Sequence, residues 1–582
     1  YLSNLSRDMF ELLELEGYWM NHISTDSKAV FLKQLSDTFD EKLSKAEAKK
    51  VTDFVFQFFG GLPMEEITGK RFSDIYGAVL ASWKFLQHYN QKHPKVRVFN
   101  PGLEEDGWQS THTVIAVLHQ NIPFLIDSIR MALNERELAV HSIQHSVLEI
   151  ERDKTGNLKK LLPRQTGDST DTTESLMFIE VDRHNEAQHL DDLKTAIETV
   201  IEEVRVAVND YPDMRDSAEA LIKQFTKLPK SVPAEDVSEA GEFIKWMVSD
   251  HFTFLGAVDY DFKKVDGGIS LECVKGSVKG IMKSHTESHL RMKLADLPLR
   301  TQEHILKTDI FTFAKSSERS RVHRPAYPDY IAIKKFNAKG EVIGERRFLG
   351  LYTAKVYNER PSEIPLLRKK TNEVIVRSGL NISDYGGKEL DQILSVYPRD
   401  ELFQINGDEL YDVAMGILYV QERRKIRLFM REDAYGRFVS CLVYVPREIY
   451  STDLRRKMEK VLMESLDGLD IDFMTFFSES ILARTQFNIK VRPVENRELN
   501  VAELQDKIIA IAQSWQDGLT EALYEAHGEE LANRYIHLYQ NAFTSSYKEA
   551  FSPRRTVIDI DHIAAVAGGK SLSMSFYRAL EE

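Results

Sequence analysis

A chain of 582 residues, 42% hydrophobic and 10% aromatic, can bury several cores, since a single domain commonly takes about 100–200 residues. Its 90 acidic against 76 basic residues leave a formal charge of −14, which excludes the chain-wide basic surface that nucleic-acid binding draws on. No run approaches the ~18 consecutive apolar residues of a membrane span, and the first residues carry no signal pattern, so a cytoplasmic protein with neither nucleic acid nor membrane as partner is expected.

Residues 1–105 read as helical. Leu12, Leu13, Leu15 and Tyr18 form one apolar run, and Val51, Phe54, Val55 and Phe58 another. "FFGGLPMEE" interrupts them, a further helix covers about 73–91, and the Pro and Gly of "HPKVRVFNPGLEEDGW" mark a boundary near residue 105. Over 106–211 the order is strand (111–118), helix (123–136), strand (139–151), polar loop (153–173), strand (175–182) and helix (190–210). Leu125, Ile129, Ala132 and Leu133 share one helical stripe, as do Leu193, Ile197, Val200, Ile201 and Val204. This βαββα order is the ferredoxin-like split βαβ arrangement, with its final strand not evident.

A helical connector (212–250) leads to a β-rich domain with trailing helices (251–405), carried by "FTFLGAVDY", "GISLECV", "DIFTFAKSS", "DYIAIKKF" and "RRFLGLYT", with Gly340 turning a hairpin. A second α+β domain (406–500) follows, with a hairpin through "AYG", a helix near 452–466, and strands at 470–478 and 485–492. The last region (501–582) reads as helices at 501–526 and 528–541, with Leu504, Ile508, Ile511, Trp515, Leu519 and Leu523 on one core stripe. It ends in a strand-like alternation at 573–580 that stops where a partner strand should follow, so the chain reads as a piece of something longer. The fold class is therefore α+β multidomain. Cys273 and Cys441, the two cysteines, lie in apolar stretches and read as buried thiols.

Signatures of chemistry are sparse. No G-x-G-x-x-G joins a strand to a helix; "AVAGGKS" at 565–571 has Ala564 where a phosphate loop needs its first glycine. His184 and His189 stand five apart, off one helical face, and no serine sits in G-x-S-x-G. Two constellations remain. The elbow Asn121, Ile122 and Pro123 opens a helix whose first amides could receive an anion such as an amino-acid carboxylate, with Asp127 beside it; the plain alternative is a strand-to-helix corner, with Asp127 and Arg130 pairing three residues apart. The window 315–347 holds nine Lys and Arg against four Asp and Glu. Arg319, Arg321, His323 and Arg324 are its candidate anion or interface cluster, and a solvated strand face is the alternative.

The strings "NIPFLIDSIRMAL", "FLGAVDYDF", "SRVHRPAYPDYIAIKKF", "GEVIGERRFLGLYT", "IPLLRKK", "YPRDELFQI" and "GRFVSCLVYVPRE" closely resemble the amino-terminal portion of the large bacterial NAD-dependent glutamate dehydrogenases. That resemblance implies oxidative deamination of L-glutamate to 2-oxoglutarate and ammonia with NAD, by a large homo-oligomer such as a tetramer. It implies ACT-like and PAS-like domains followed by helical motifs and a later catalytic region. The units at 106–211 and 406–500 would be ACT-like, the β-rich domain PAS-like, and 573–580 the entry to a further ACT-like unit. Catalytic and NAD-binding residues, and any metal, are then not expected in this segment; NAD belongs to the full-length enzyme. Its expected partners are the catalytic carboxy-terminal region of the same polypeptide, further copies of itself and an amino-acid effector, which makes it a regulatory and oligomerisation segment or, alternatively, a purely structural scaffold.

Overall fold

The computed structural model describes residues 27–59, 71–163, 173–225, 228, 232–265, 268–284, 291–421, 425–477, 480–495, 497–513 and 515–575. The expected run from Leu12 to Tyr18 and most of "FFGGLPMEE" lie outside them. Two compact units divide the chain: Tyr1–Asp296 with Thr308–Tyr357, and Leu297–Lys307 with Asn358–Glu582.

The first unit opens with helices α1 (Ser27–Lys42), α2 (Lys45–Phe59) and α3 (Phe72–Leu86). Their Leu35, Phe39, Phe54, Phe58 and Val79 pack with Val114, Ala116, Leu118 and Leu176 of a five-stranded antiparallel sheet. Its strands are β1 (Lys95–Phe99), β2 (Thr113–Gln120), β3 (Val140–Arg152), β4 (Leu158–Leu162) and β5 (Thr173–Val181), in the order β1-β2-β5-β3-β4. Helices α4 (Leu125–Asn134) and α5 (Ala187–Phe225) cover the opposite face through Ile129, Leu133, Ile197 and Ile201, against Ile115, Val117 and Ile179. With both faces covered, β2 reads "TVIAVL" as an unbroken apolar run instead of an alternating one.

The strand that the βαββα reading lacked comes from upstream. β1 pairs antiparallel with β2 from Lys95↔Leu118 to Phe99↔Val114, filling the edge position next to the first strand. The sheet thus starts before residue 106, and the Pro and Gly taken as a domain boundary flank a strand. Nor does the chain break at 211–212, because α5 continues through Pro212 to Phe225.

After α6 (Ala234–Trp246) come β6 (Phe252–Val265), β7 (Gly268–Cys273), β8 (Lys279–Gly280), β9 (Arg291–Lys293), β10 (Phe311–Lys315), β11 (Asp329–Phe336) and β12 (Val342–Tyr352). They form one antiparallel sheet, β10-β11-β12-β6-β7-β9 with β8 on β6, so the first strand lies centrally between the second and the last. Gly340, at φ 84°, turns the β11–β12 hairpin as expected. Cys273 is only half-buried, contrary to expectation, whereas Cys441 is fully buried.

The second unit takes in α7 (Leu299–Leu306) and begins again within α8 (Ala354–Asn358). The helices α9 (Leu367–Ser378), α10 (Tyr385–Val396), α11 (Arg399–Gln404) and α12 (Gly407–Gln421) therefore belong here and not with the β-rich sheet. Then follow β13 (Arg427–Glu432), β14 (Phe438–Pro446), α13 (Thr452–Ser465), β15 (Asp470–Phe477), β16 (Leu482–Lys490) and α14 (Val501–Ala512), with sheet order β13-β14-β16-β15. Leaving aside the short β4, this ββαββα order, with a leading strand at the edge, repeats that of the first sheet.

The stripe from Leu504 to Leu523 serves two cores instead of one. Leu504 and Ile508 of α14 join Cys441, Met458 and Phe487, whereas Leu519 and Leu523 of α15 (Trp515–Tyr539) pack with Val557 and Ile560 of α17 (Pro553–Ala567), beyond the short α16 (Ser545–Ala550). α14 thus closes the α+β domain expected to stop at 500. Residues 573–575 are irregular, and the rest of the expected strand lies outside the described residues.

Candidate functional site

The elbow and the arginine loop, read separately from sequence, meet in the first unit. β2 ends at Gln120, and the Asn121 amide donates to Thr173 O at 3.0 Å. Pro123 is exposed, and Phe124 starts α4 from a left-handed conformation, φ 67°. The buried Ser128 hydroxyl donates to the Phe124 carbonyl at 2.7 Å and accepts the His323 amide at 3.2 Å. His323 is also left-handed, φ 74°, and its ring lies 4.6 Å from that of Phe124. Two non-glycine residues at positive φ, tied by one hydroxyl, mark a strained joint held by its surroundings. Ile122 and Phe124 pack there with Val204, Val322, Leu255 and Leu351. Asn121 is half-buried beside the joint. Asp127 does not pair with Arg130; its charge falls on the His323 imidazole, which burial and Arg324 hold below its ordinary value.

The loop's cations have partners. Arg321 pairs with Glu203 of α5, whose carboxyl burial raises despite that contact. Arg324 donates to Tyr352 O at 2.8 Å, and Arg319 lies 4.6 Å over the Tyr327 ring. Most of the remaining basic window is likewise absorbed: Lys334 meets Glu345 at 3.0 Å with both side chains fully buried, Arg347 meets Glu345 at 2.5 Å, and Lys315 meets Asp329 at 2.8 Å, whereas Lys339 is exposed. Burial alone would raise the Asp259 carboxyl, but Arg346 at 2.5 Å and Lys335 at 3.3 Å hold it below its usual range. The window is therefore an internal ion network and a domain joint. Sequence could not show this because Glu203 and Asp259 lie outside the window.

His119 and His145, in the first sheet, are also held below the ordinary imidazole value, chiefly by burial, as is His323. Folded, they stay neutral to lower pH than in the unfolded chain, so the unfolded state binds protons first as pH falls below about 6.5. Stability of this unit is thus full above that pH and declines below it. Thermal unfolding between pH 7.5 and 5.5 should show a falling midpoint, with a shallower fall in His323→Gln; equal slopes would remove His323 from the account.

In the second unit, buried cations gather around α11, a site that sequence reading missed although "YPRDELFQI" spans it. Lys370 donates to the carbonyls of Leu402, Phe403 and Ile405 at 2.8, 3.2 and 2.6 Å, and burial pushes its ammonium down to about 7. Glu401 takes Arg431 in a two-pronged pair at 2.5 and 3.0 Å. Arg399 and Arg484 donate to backbone carbonyls at the end of α10. Among the described residues, no group of three or more His, Cys, Asp or Glu is placed to hold a metal ion.

Four family models match along this architecture: the glutamate dehydrogenase ACT1 domain over residues 54–197, helical motif 1 over 364–423, the ACT2 domain over 427–516 and helical motif 2 over 522–566. The NAD-specific glutamate dehydrogenase of Halomonas elongata is 41% identical over 565 residues, covering 97% of this chain and 35% of the relative. The chain belongs to the large NAD-specific glutamate dehydrogenase family. Its counterpart in Pseudomonas aeruginosa is 40% identical over 568 residues, again 97% of this chain and 35% of the relative, and that of Mycobacterium tuberculosis is 27% identical over 467 residues, 77% and 27%. The chain thus spans about a third of the length of the curated relatives it matches. In family terms the elbow belongs to ACT1, which takes in β1 as the sheet does, and α14 falls within ACT2. No helix among the described residues is long and apolar enough to cross a membrane.

Proposed function

We propose that this chain is the amino-terminal regulatory and assembly part of a cytoplasmic, homo-oligomeric NAD-specific glutamate dehydrogenase. Oxidation of L-glutamate to 2-oxoglutarate and ammonia, and NAD binding, fall to the catalytic region of the same polypeptide. The names of the relatives and the share of their length that the chain covers support this reading. The β-rich sheet, with its first strand central, is its PAS-like module.

The observation that carries a sensing role is the Ser128 joint. An amino acid received at Asn121, Ile122 and Pro123, with Asp127 beside it, would sit on the hinge between ACT1 and the β-rich domain. It would regulate only by the difference in its affinity for two arrangements of that hinge. Thermal unfolding of the chain with each of the twenty amino acids tests this, because a ligand bound only to the folded state adds about 2.7 kcal/mol at a hundredfold excess over its Kd. At least one amino acid should raise the midpoint, and Asn121→Ala should abolish the shift. No shift with any of them would leave the elbow a corner.

The scaffold reading has its own support in β15, an edge strand exposing Phe473, Met474, Phe476 and Phe477. An unpaired apolar edge invites strand addition by a second copy.

A further inference from the structure

Arg399 and Arg484 are 7% and 8% exposed, and among the described residues neither pairs with a carboxylate. Arg399 donates to the carbonyls of Tyr397 at 2.9 Å, Ser395 at 2.8 Å and Glu359 at 2.7 Å. Arg484 donates to the Val396 carbonyl, lies 4.8 Å over the Phe476 ring and stands opposite Tyr444 on the neighbouring strand. The Nε–H of each guanidinium is buried without a partner. Three successive carbonyls, 395 to 397, thus serve both arginines at the end of α10.

A helix end carries roughly half a negative charge, against the two positive charges brought to it. Glu401, the buried carboxylate nearby, has both oxygens occupied by Arg431. Glu359 acts on Arg399 only at a distance. Burial and the neighbouring Arg484 push the Arg399 guanidinium down to about 10, the sign of two like charges confined together. Water could satisfy the two Nε–H groups but would leave the charge uncompensated, and an uncompensated buried charge is what interiors tolerate least.

We propose that Arg399 and Arg484 form a buried site for an oxyanion, a carboxylate or phosphate group, between the end of α10 and the ACT2 sheet face opposite its helices. The planar guanidinium fork suits two-point contact with either group. Tyr444, opposite Arg484 on the neighbouring strand, has a phenolic proton to donate to the anion. Arg399 lies in the helical motif 1 match and Arg484 in the ACT2 match, so the anion would bridge two segments of the family architecture. The site is separate from the elbow and stands or falls independently of it.

The test is thermal unfolding of the full chain titrated with inorganic phosphate and with acetate, against potassium chloride at matched ionic strength. A saturable rise beyond the chloride control is expected, and the anion that saturates lower identifies the preferred group. In Arg484→Gln and Arg399→Gln the apparent Kd should weaken at least tenfold. Because a glutamine variant can fail to fold, equilibrium dialysis of radiolabelled phosphate and acetate against the unmodified chain gives a second measure. One displaceable anion of either kind per chain is expected, with weaker binding in Arg484→Lys, which keeps the charge and loses the fork. No response beyond chloride, no anion retained on dialysis, or an equal response in the arginine variants would mean an adventitious ion only and overturn the assignment.

Discussion

Replacing Glu345 by alanine should destabilise the first unit by about 3–5 kcal/mol, because it strands Lys334 and Arg347 without their shared carboxylate where water cannot reach. Lys334 and Glu345 are both fully buried side chains, and Arg347 closes on the same carboxylate. Burial would raise the Glu345 carboxyl, yet the two cations outweigh it and hold it below the ordinary value, so the ion pair is the state that folding selects. The unfolding midpoint should drop by roughly 10 °C, at a few degrees per kcal/mol for domains of this size. Glu345→Gln, which keeps the shape and one acceptor, should lose distinctly less. Equal losses would show that the charge, and not the shape or the remaining acceptor, is what the site depends on. Because the chain has two units, amide exchange on peptides from β11 and β12 is the proper readout, and protection around α11 should not change.

Glu401→Ala is the counterpart in the second unit and should cost a comparable 3–5 kcal/mol. Its carboxylate takes Arg431, and Lys370, Arg399 and Arg484 are buried in the same unit. Removing it leaves those cations with backbone carbonyls, Gln404 and little else. Peptides from α9 to α12 and from β13 should lose exchange protection while the first unit keeps its own. If a saturating oxyanion restores part of that loss, the buried anion site gains support from a residue outside it; Glu401→Ala without any change in protection would mean that the cation cluster is held by its carbonyls alone.

Much of the architecture was legible from periodicity alone. Leu125, Ile129 and Leu133 did form one buried face of α4, and Leu193, Ile197 and Ile201 one of α5, because a 3.6-residue stripe has a single way to face a sheet. The hairpin at Gly340 and the one through "AYG" were equally plain, since both need a residue at positive φ, which Gly340 and Gly436 supply. The family strings, too, were sequence information, and the ACT1, ACT2 and helical-motif matches agree with them.

What the chain order could not contain was pairing over distance. "KVRVF" reads only as part of a boundary stretch until Thr113–Gln120 lies beside it, since five residues have too little pattern to announce a strand and hydrogen bonding alone assigns the edge. The stripe through Trp515 was continuous in sequence but split between two cores, because helix spacing does not reveal where a helix stops. The nine cations of the basic window were countable, yet for some of them the counterion comes from 87 residues away, as with Arg346 and Asp259, or 118, as with Arg321 and Glu203. Periodicity thus determined most of the helices and strands, and the quoted strings, not composition, pointed to the family. Tertiary structure alone decided which charges are spent on folding, which are left without a carboxylate at Arg399 and Arg484, and that the elbow is tied to the His323 loop through Ser128, because burial and charge neutralisation are properties of neighbours in space and not of neighbours in the chain.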